Sequence, residues 1–363
     1  MSEKVRVLVV DDSALMRKLI PQILARDNSI EVVGTAMDGT FALRKIEELK
    51  PQVITLDLEM PRMDGMETLR QITRRFGIPV IVVSALTTEG ASATFKALSL
   101  GAFDFVAKPR DAASAQMDPI ALDLIAKIKG AVKHQHTGLV NLLPDPAKVS
   151  NKPATRARKE PTKIVAIGIS TGGPHALQYL FSQLPEDFPG SIVVVQHMPE
   201  GFTEMFARRL NECSALEVRE GRSGDFLIAG RALICPGNRH VKLRRLPLGD
   251  TIVLSDDAHV NGHRPSVDVL FRSAAAEFGA RALGVLMTGM GDDGAEGLGQ
   301  IQRAGGLTIA QDEKSCVVFG MPKAAIERGY ASRVVSLDAM AKTITTQCDA
   351  EKITQPNRVP LQL

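Results

Sequence analysis

The N-terminal stretch Val5-Arg-Val-Leu-Val-Val-Asp-Asp12 is a short run of branched apolar residues that ends in two acidic ones. Runs of this length, rich in Val and Ile, are typical of strands that are buried on both faces of a parallel sheet. Similar runs follow at Val32–Ala36, Val53–Leu56, Val80–Val83 and Phe103–Val106, and helical patterns lie near 14–26, 40–49, 65–75, 88–99 and 119–133. Five strand–helix repeats predict a doubly wound α/β domain over residues 1–130.

The rest of the chain divides into a linker, a second domain and a tail. Residues 131–162 contain four prolines among scattered basic and polar residues, which predicts a flexible basic linker. From Lys163 the alternation resumes, with strands predicted at Ile164–Ile169, Ile192–Gln196, Ala232–Cys235, Ile252–Leu254, Ala282–Met287 and Leu307–Ala310. We therefore predict a second doubly wound α/β domain over 163–350, with an antiparallel hairpin excursion within 215–255 and a tail over 351–363.

The composition limits the classes of function. Aromatic residues make up only 4% of the chain and Trp is absent, which argues against stacking of single-stranded nucleic acid. The net charge of +3 comes mainly from residues 131–163, where seven basic and two acidic residues give +5, so no basic face is expected. The four cysteines are widely spaced, and neither a leader nor a membrane-spanning pattern is found. A cytoplasmic protein is expected, without nucleic-acid binding or direct membrane insertion.

Acidic residues follow two strands of the first domain. Asp11 and Asp12 end the first strand and Asp57 ends the third. In a flavodoxin-like sheet of order 2-1-3-4-5 these strands are neighbours, so the three carboxylates converge at one edge. Such a density of hard oxygen ligands suits Mg²⁺, and Asp57 is a candidate for accepting a phosphoryl group. Ser84 and Lys108 follow the fourth and fifth strands, where both could contact that group; simple helix capping is the alternative for any one residue.

Taken together, Asp11-Asp12, Asp57, Ser84 and Lys108-Pro109 resemble the receiver domains of two-component response regulators, over most of residues 4–125. The resemblance implies that Asp57 is phosphorylated and that Asp11, Asp12 and Asp57 bind Mg²⁺ with help from the Glu59 carbonyl. It also implies that Ser84 is the switch hydroxyl and that Lys108 contacts the phosphoryl group.

A glycine-rich turn in the second domain carries a candidate nucleophile. Residues 168–174 read Gly-Ile-Ser-Thr-Gly-Gly-Pro between a predicted strand and a predicted helix. The Gly-x-Ser-x-Gly pattern exposes a serine hydroxyl, here Ser170, at a helix N-terminus, where backbone N–H groups such as that of Thr171 can stabilise an oxyanion. A plain βα turn is the alternative for this motif alone; a P-loop is excluded because no Gly-Lys-Ser/Thr follows.

A base and an acid are available for this serine. His197 ends the next strand, while His175 and the other histidines are weaker candidates for the base. Asp292 and Asp293 follow a later buried strand, and spacing does not choose between them as the residue that orients the imidazole. The order Ser, His, Asp disfavours the general α/β-hydrolase fold, in which the histidine comes last.

Five motifs of the second domain together resemble the chemotaxis receptor methylesterase family over roughly residues 163–345. They are Ile-Ser-Thr-Gly-Gly-Pro, Gln-His-Met-Pro, Gly-His-Arg-Pro-Ser-Val-Asp, Leu-Met-Thr-Gly-Met-Gly-Asp-Asp-Gly and Val-Val-Phe-Gly-Met-Pro. The resemblance implies that Ser170 is the nucleophile, His197 the base and Asp293 the orienting acid. It further implies a phosphorylation-activated enzyme that hydrolyses glutamate methyl esters of chemoreceptors and deamidates glutamines, with a chemotaxis histidine kinase as phosphodonor and no cofactor in the esterase domain.

Two expectations on regulation and substrate access follow from this organisation. The unphosphorylated receiver is expected to cover the Ser170 cleft, and Gly201–Phe206 and His263–Asp268 are candidates for the rim of an open site. Two rival functions are a phosphorylation-dependent binding adaptor, which an organophosphate should not label, and a transcriptional regulator. The second rival is disfavoured because no helix-turn-helix pattern or basic recognition helix is found in the C-terminal half.

Overall fold

The first of the two predicted sheets forms from the N-terminal strands. The computed structural model describes residues 4–85, 87–108, 117–134 and 159–349. The strands are β1 (Val5–Val10), β2 (Ile30–Ala36), β3 (Val53–Leu56), β4 (Val80–Ser84) and β5 (Asp104–Ala107), all parallel in the order β2-β1-β3-β4-β5. The helices are α1 (Ala14–Leu24), α2 (Gly39–Leu49), α3 (Gly65–Arg75), α4 (Thr88–Ser99) and α5 (Met117–His134). The predicted flavodoxin-like order is confirmed.

The run that opens the chain is buried on both sides, as its composition predicts. Leu8 and Val10 of β1 face one hydrophobic cluster, while Val7 and Val9 face another on the opposite side of the sheet. Helices cover both faces, and the polar ends of the strands therefore remain the available place for a site.

A second parallel sheet forms the C-terminal domain. Its strands are β6 (Ile164–Ile169), β7 (Ser191–Gln196), β8 (Glu217–Glu220), β9 (Arg231–Ile234), β12 (Ala282–Leu286), β13 (Leu307–Gln311) and β14 (Arg333–Val335), in the order β14-β13-β12-β6-β7-β9-β8. Its helices are α6 (Gly173–Gln183), α7 (Phe202–Cys213), α8 (Val267–Phe278), α9 (Ala295–Arg303), α10 (Met321–Glu327) and α11 (Leu337–Cys348). Strand β6 lies in the middle, between β12 and β7, where the direction of chain winding reverses. Such a switch point is the usual place for a site in an open α/β sheet.

The predicted excursion is an antiparallel hairpin of β10 (His240–Leu246) and β11 (Gly249–Ser255), paired from His240 opposite Ser255 to Leu246 opposite Gly249. The sequence did not predict β14, α10 or α11. Strand β14 has three residues and no fully buried side chain, so it carries no apolar run to detect. Among the described residues, no helix has the length and apolar character needed to cross a membrane.

Most of the predicted linker, the whole predicted tail 351–363 and Pro109 lie outside the described residues. Helix α5 continues to His134, four residues into the segment expected to be linker. At the other end of that segment, Thr162 is already bound to the second domain, since its hydroxyl donates to the Cys348 carbonyl at 2.6 Å.

Candidate functional site

The three carboxylates of the first domain meet at the carboxyl ends of β1 and β3. Asp11 and Asp57 are buried, Asp12 is exposed, and each offers an oxygen within 4.8 Å of the others. The Lys108 ammonium lies 2.7 Å from Asp57 Oδ2 and 3.1 Å from Asp11 Oδ2. Burial raises the pKa of Asp11 and the neighbouring Asp57 charge adds to this, while Lys108 opposes both.

This cluster fits a divalent cation on its donor chemistry. One ammonium balances only one of three carboxylates, and the buried Oδ2 of Asp11 has beside it the Lys108 ammonium, which lies closer to Asp57. Hard carboxylate oxygens with uncompensated charge are the ligands that Mg²⁺ prefers. Helix capping was the alternative role for the aspartates that end β1. The cap of α1 is instead Ser13, whose hydroxyl accepts from the Met16 N–H.

The other receiver residues lie around this cluster. The Glu59 backbone N–H donates to Asp57 Oδ1 at 3.2 Å, and the predicted role of its carbonyl stays a prediction. The Ser84 hydroxyl is buried and donates to the Gly90 carbonyl in α4 at 3.2 Å. The Lys108 N–H donates to the Ser84 carbonyl and so links the carboxyl ends of β4 and β5.

Ser170 lies in the turn between β6 and α6 at the centre of the second sheet. Gly172 has φ +77, a conformation that side chains disfavour, and it forms the N-cap of α6. A Cβ at Gly173 would collide with the Gln196 side chain, which donates to the carbonyls of both Ser170 and His197. Gln196 therefore ties the serine turn to the residue after β7. The Ser170 N–H donates to the Thr288 carbonyl.

His197 and Asp293 are in direct contact. His197 Nε2 lies 2.9 Å from Asp293 Oδ2, and its other ring nitrogen, Nδ1, is buried with no hydrogen-bond partner among the described residues. Asp292, left open by spacing, is exposed and pairs with Arg328 at 2.7 Å. The structure thus brings the second aspartate, not the first, to the imidazole.

Asp293 is held by several donors besides the imidazole. The Ser266 hydroxyl and the Val267 N–H at the start of α8 both lie 2.7 Å from its carboxylate, and the Asn261 amide lies 3.0 Å away. Burial alone would raise the pKa of Asp293, but hydrogen bonds from His197, Ser266 and Val267 outweigh it and hold that pKa well below the ordinary value. Asp293 is therefore ionised wherever the protein is folded near neutral pH.

Two residues in this cluster were not singled out individually from the sequence. Asn261 donates to both Asp268 and Asp293, and the His263 ring stacks on the His197 ring with centroids 3.9 Å apart and planes 7° from parallel. His263 opens the segment His263–Asp268 predicted as rim. The Gly-His-Arg-Pro-Ser-Val-Asp motif was the available signal for His263, because it also contains Ser266, Val267 and Asp268, which donate to Asp293, whereas Asn261 lies just before the motif.

Ser170 and His197 line one cleft of about 410 Å³ between the two domains. One wall belongs to the first domain and includes Asp104, Leu122 and Asp123. A larger cavity of about 730 Å³ lies beside the β10–β11 hairpin, and none of the predicted site residues lines it. We therefore take the smaller cleft as the candidate site, because of the two it is the one lined by Ser170, the candidate nucleophile, and by His197, whose ring contacts Asp293.

The first domain contacts the serine turn directly. Asp104 Oδ2 accepts from the Gly172 N–H at 2.9 Å, and Thr171 Oγ1 lies 3.4 Å from Asp123 Oδ1. Lys127 is buried beside both carboxylates, 2.8 Å from Asp123 and 3.7 Å from Asp104. His175, the weaker candidate for the base, instead lies 2.8 Å from the Ala102 carbonyl across the domain interface.

Four phenylalanines extend this interface. Phe105 of β5 stacks on Phe202 of α7, with centroids 5.2 Å apart and planes 6° from parallel. Phe95 of α4 stacks on Phe206 of α7 at 5.7 Å. Because they belong to one continuous hydrophobic cluster, the two domains share a core at this point. Phe202 and Phe206, which belong to the predicted rim segment Gly201–Phe206, therefore pack against the first domain.

The chain is similar to known proteins over most of its length. Residues 165–344 match the CheB methylesterase family and residues 7–116 match the response regulator receiver domain. The protein-glutamate methylesterase/protein-glutamine glutaminase 2 of Koribacter versatilis is 60% identical over 354 residues, covering 96% of this chain and 98% of that protein. Its counterpart from Pyrococcus horikoshii is 45% identical over 95% of this chain and 94% of that protein. The crystal structure of the Thermotoga maritima CheB methylesterase catalytic domain matches this chain at 41% identity with a TM-score of 0.50. The match covers 51% of this chain and 97% of the chain in the crystal structure.

Proposed function

Because the chain belongs to the CheB methylesterase family and carries a response regulator receiver domain, we propose that it is a protein-glutamate methylesterase and protein-glutamine glutaminase controlled by phosphorylation. Its substrates are the methylated glutamates and the glutamines of chemoreceptors, and it acts in the cytoplasm. The receiver occupies about residues 1–130 and the catalytic domain about 163–350. The observation that carries the proposal is that His197, which contacts the buried Asp293, lines the same cleft as Ser170.

The geometry supports an acyl-transfer mechanism. The Ser170 hydroxyl attacks the glutamyl carbonyl while His197 accepts its proton, and Nδ1 is the ring nitrogen available for this because Asp293 binds Nε2. The imidazolium then returns the proton to the leaving methoxide, which departs as methanol, or to the amide nitrogen of a glutamine, which departs as ammonia. Water attacks the glutamyl–enzyme by the same proton transfers, and this releases glutamate and restores the serine.

The nucleophile assignment is tested with Ser170→Ala. We expect methanol release from methylated chemoreceptor membranes to fall by about 10³-fold or more, because the covalent route is lost. Ser182→Ala, in the same helix α6, is the matched control and should keep full activity. An adaptor that only binds receptors would show no dependence on Ser170, so equal activity of the Ser170→Ala and wild-type proteins would refute the enzyme assignment.

Regulation by the receiver is proposed from the domain interface. Asp104 and Asp123 contact the residues that follow Ser170, and the four phenylalanines fix α4 and β5 of the receiver against α7. In this arrangement a receptor helix, which is a wide substrate, meets the receiver before it reaches the serine. Opening this interface is therefore what phosphorylation must favour.

Phosphorylation takes place at the acidic cluster, with a chemotaxis histidine kinase as phosphodonor. Asp11, Asp12 and Asp57 would hold Mg²⁺, with the Glu59 carbonyl as a further ligand, and the ion supplies charge neutralisation for phosphoryl transfer to Asp57. Lys108, now paired with Asp57, would then bind the phosphoryl oxygens. Ser84 would turn toward the same oxygens and leave the Gly90 carbonyl of α4, a helix that packs at the interface. No cofactor is assigned to the catalytic domain.

A further inference from the structure

The imidazole of His197 is bound at only one of its two nitrogens. Nε2 is fixed by Asp293 at 2.9 Å, whereas Nδ1 has no partner among the described residues. The ring is held at Cγ by its covalent bond and at Nε2 by Asp293, which leaves rotation of the ring plane about the axis through these two atoms open. Proton transfer from Ser170 requires the ring plane to be set as well, because a displaced base loses much of its effect.

The His263 ring supplies the missing constraint on this plane. Its centroid lies 3.9 Å from that of the His197 ring and the two planes are 7° from parallel, so the rings are stacked face to face. His263 is itself held by two reciprocal backbone hydrogen bonds with Val260, at 2.9 and 3.1 Å. Asn261, in the same turn, binds the Asp293 carboxylate, so one turn contacts both partners of the pair.

We infer that His263 is a positioning residue of the proposed esterase, whose ring holds the His197 imidazole in the plane that proton transfer with Ser170 requires. This inference rests on the proposed function. The ring also acts as a cover, because it separates one face of His197 from water in the cleft.

The charge state of His263 is consistent with this role. Burial, and next the neighbouring His197, lower the pKa of His263 to about 4, while Asp293, Asp123 of α5 and His259 are the other charged or titratable groups that face it. His263 is therefore neutral when His197 becomes a cation during the reaction. A neutral ring can stack on an imidazolium without charge repulsion, whereas a second cation at 3.9 Å could not.

Two substitutions of His263 separate ring stacking from other roles. In the full-length chain with a phosphodonor, we expect His263→Ala to lower kcat for methanol release by roughly 10- to 100-fold with little change in KM. His263→Phe keeps a flat ring and should stay within about threefold of wild type, since stacking is preserved. His259→Ala, an exposed histidine in the same loop, is the matched control and should equal wild type.

The pH–rate profile gives a readout that a loss of folded protein would not change. Removing the cover in His263→Ala exposes the His197 ring to water, which favours the charged imidazolium, so the acidic limb should move to higher pH. In His263→Phe the limb should stay where it is in wild type. Partial unfolding would lower the plateau but leave the midpoint of the limb unchanged.

Wild-type kcat and an unmoved limb in His263→Ala would overturn the inference, and so would a His263→Phe variant as slow as His263→Ala. If the wild-type protein released no methanol, the proposed function would fail instead. In that case NMR of histidine-labelled full-length protein still tests the contact. The His197 ring signals must shift when the His263 ring is removed, and unshifted signals would overturn the stacking.

Discussion

The Asp293 carboxylate binds hydrogen-bond donors from five residues of the catalytic domain. Its two oxygens accept from an imidazole, a hydroxyl, a side-chain amide and the first N–H groups of α8, and its side chain is only 1% exposed. The start of α8 and the His197 ring are thus fixed to one buried carboxylate. Its charge matters for both the reaction and the stability of the domain.

We predict that Asp293→Asn lowers kcat by about 10³- to 10⁴-fold, because the amide no longer selects the ring orientation and no longer stabilises the imidazolium. Asp292→Asn is the matched control: it removes a neighbouring carboxylate whose partner is Arg328 on the surface. Methanol release from methylated receptor membranes measures both variants. If the two substitutions had equal effects, Asp293 would not be the orienting acid.

Asp293 also gives a pH-dependent contribution to stability. Its pKa is lowered in the folded state, so the contribution is fully present above the unfolded value of about 4 and is lost as pH falls below it. Urea unfolding at pH 7 should find Asp293→Asn less stable than wild type by about 1–3 kcal/mol. At pH 3 the difference should be smaller. A difference that grew on acidification would contradict the assignment of the charged form as the stabilising one.

At the scale of elements, the start of α6 connects the Ser170 turn to the receiver. Gly172 offers an N–H at the positive end of this helix, and the Asp104 carboxylate at the start of β5 accepts it. The same carboxylate lies beside the buried Lys127. The contact therefore couples the two domains at two residues from Ser170.

We predict that Asp104→Asn raises the activity of the unphosphorylated protein by about tenfold, because a charged contact that favours the closed interface is lost. Activity with a phosphodonor should change little. Asp27→Asn is the control, since Asp27 pairs with Lys129 within the receiver. Unchanged basal activity in Asp104→Asn would indicate that this contact does not contribute to inhibition.

Strand ends could be predicted from the sequence more completely than contacts between elements. The apolar runs that end at Asp11, Asp57, Ser170 and His197 locate these residues at sheet edges, because a strand buried on both faces must be uniformly apolar. The choice of Asp293 over Asp292 depends on the turn geometry after β12, and spacing alone carries no information on it. The contacts of the interface phenylalanines could not be predicted either, because the sequence of an apolar helix face does not show whether it packs in its own core or against another domain.

At the scale of the whole molecule, two chemically independent centres are joined by one interface. The acidic cluster is the proposed site of phosphorylation and metal binding, and the proposed serine centre lies apart from it in the cleft lined by Ser170 and His197. We therefore predict that chelation of Mg²⁺, or Asp57→Asn, abolishes stimulation by a phosphodonor and leaves basal methanol release unchanged. Phosphate incorporation and methanol release, measured on the same samples, check this. Loss of basal activity on chelation would contradict the separation of the two centres.

The most direct test of a serine esterase controlled by its receiver is methanol release from radiolabelled methylated chemoreceptor membranes, with and without a phosphodonor. Full-length protein and residues 163–363 are compared in parallel. We predict slow release by the full-length chain, a rise when the phosphodonor is added, and fast release by residues 163–363 in both conditions. Equal rates for the two unphosphorylated proteins, or no methanol from either, would contradict it.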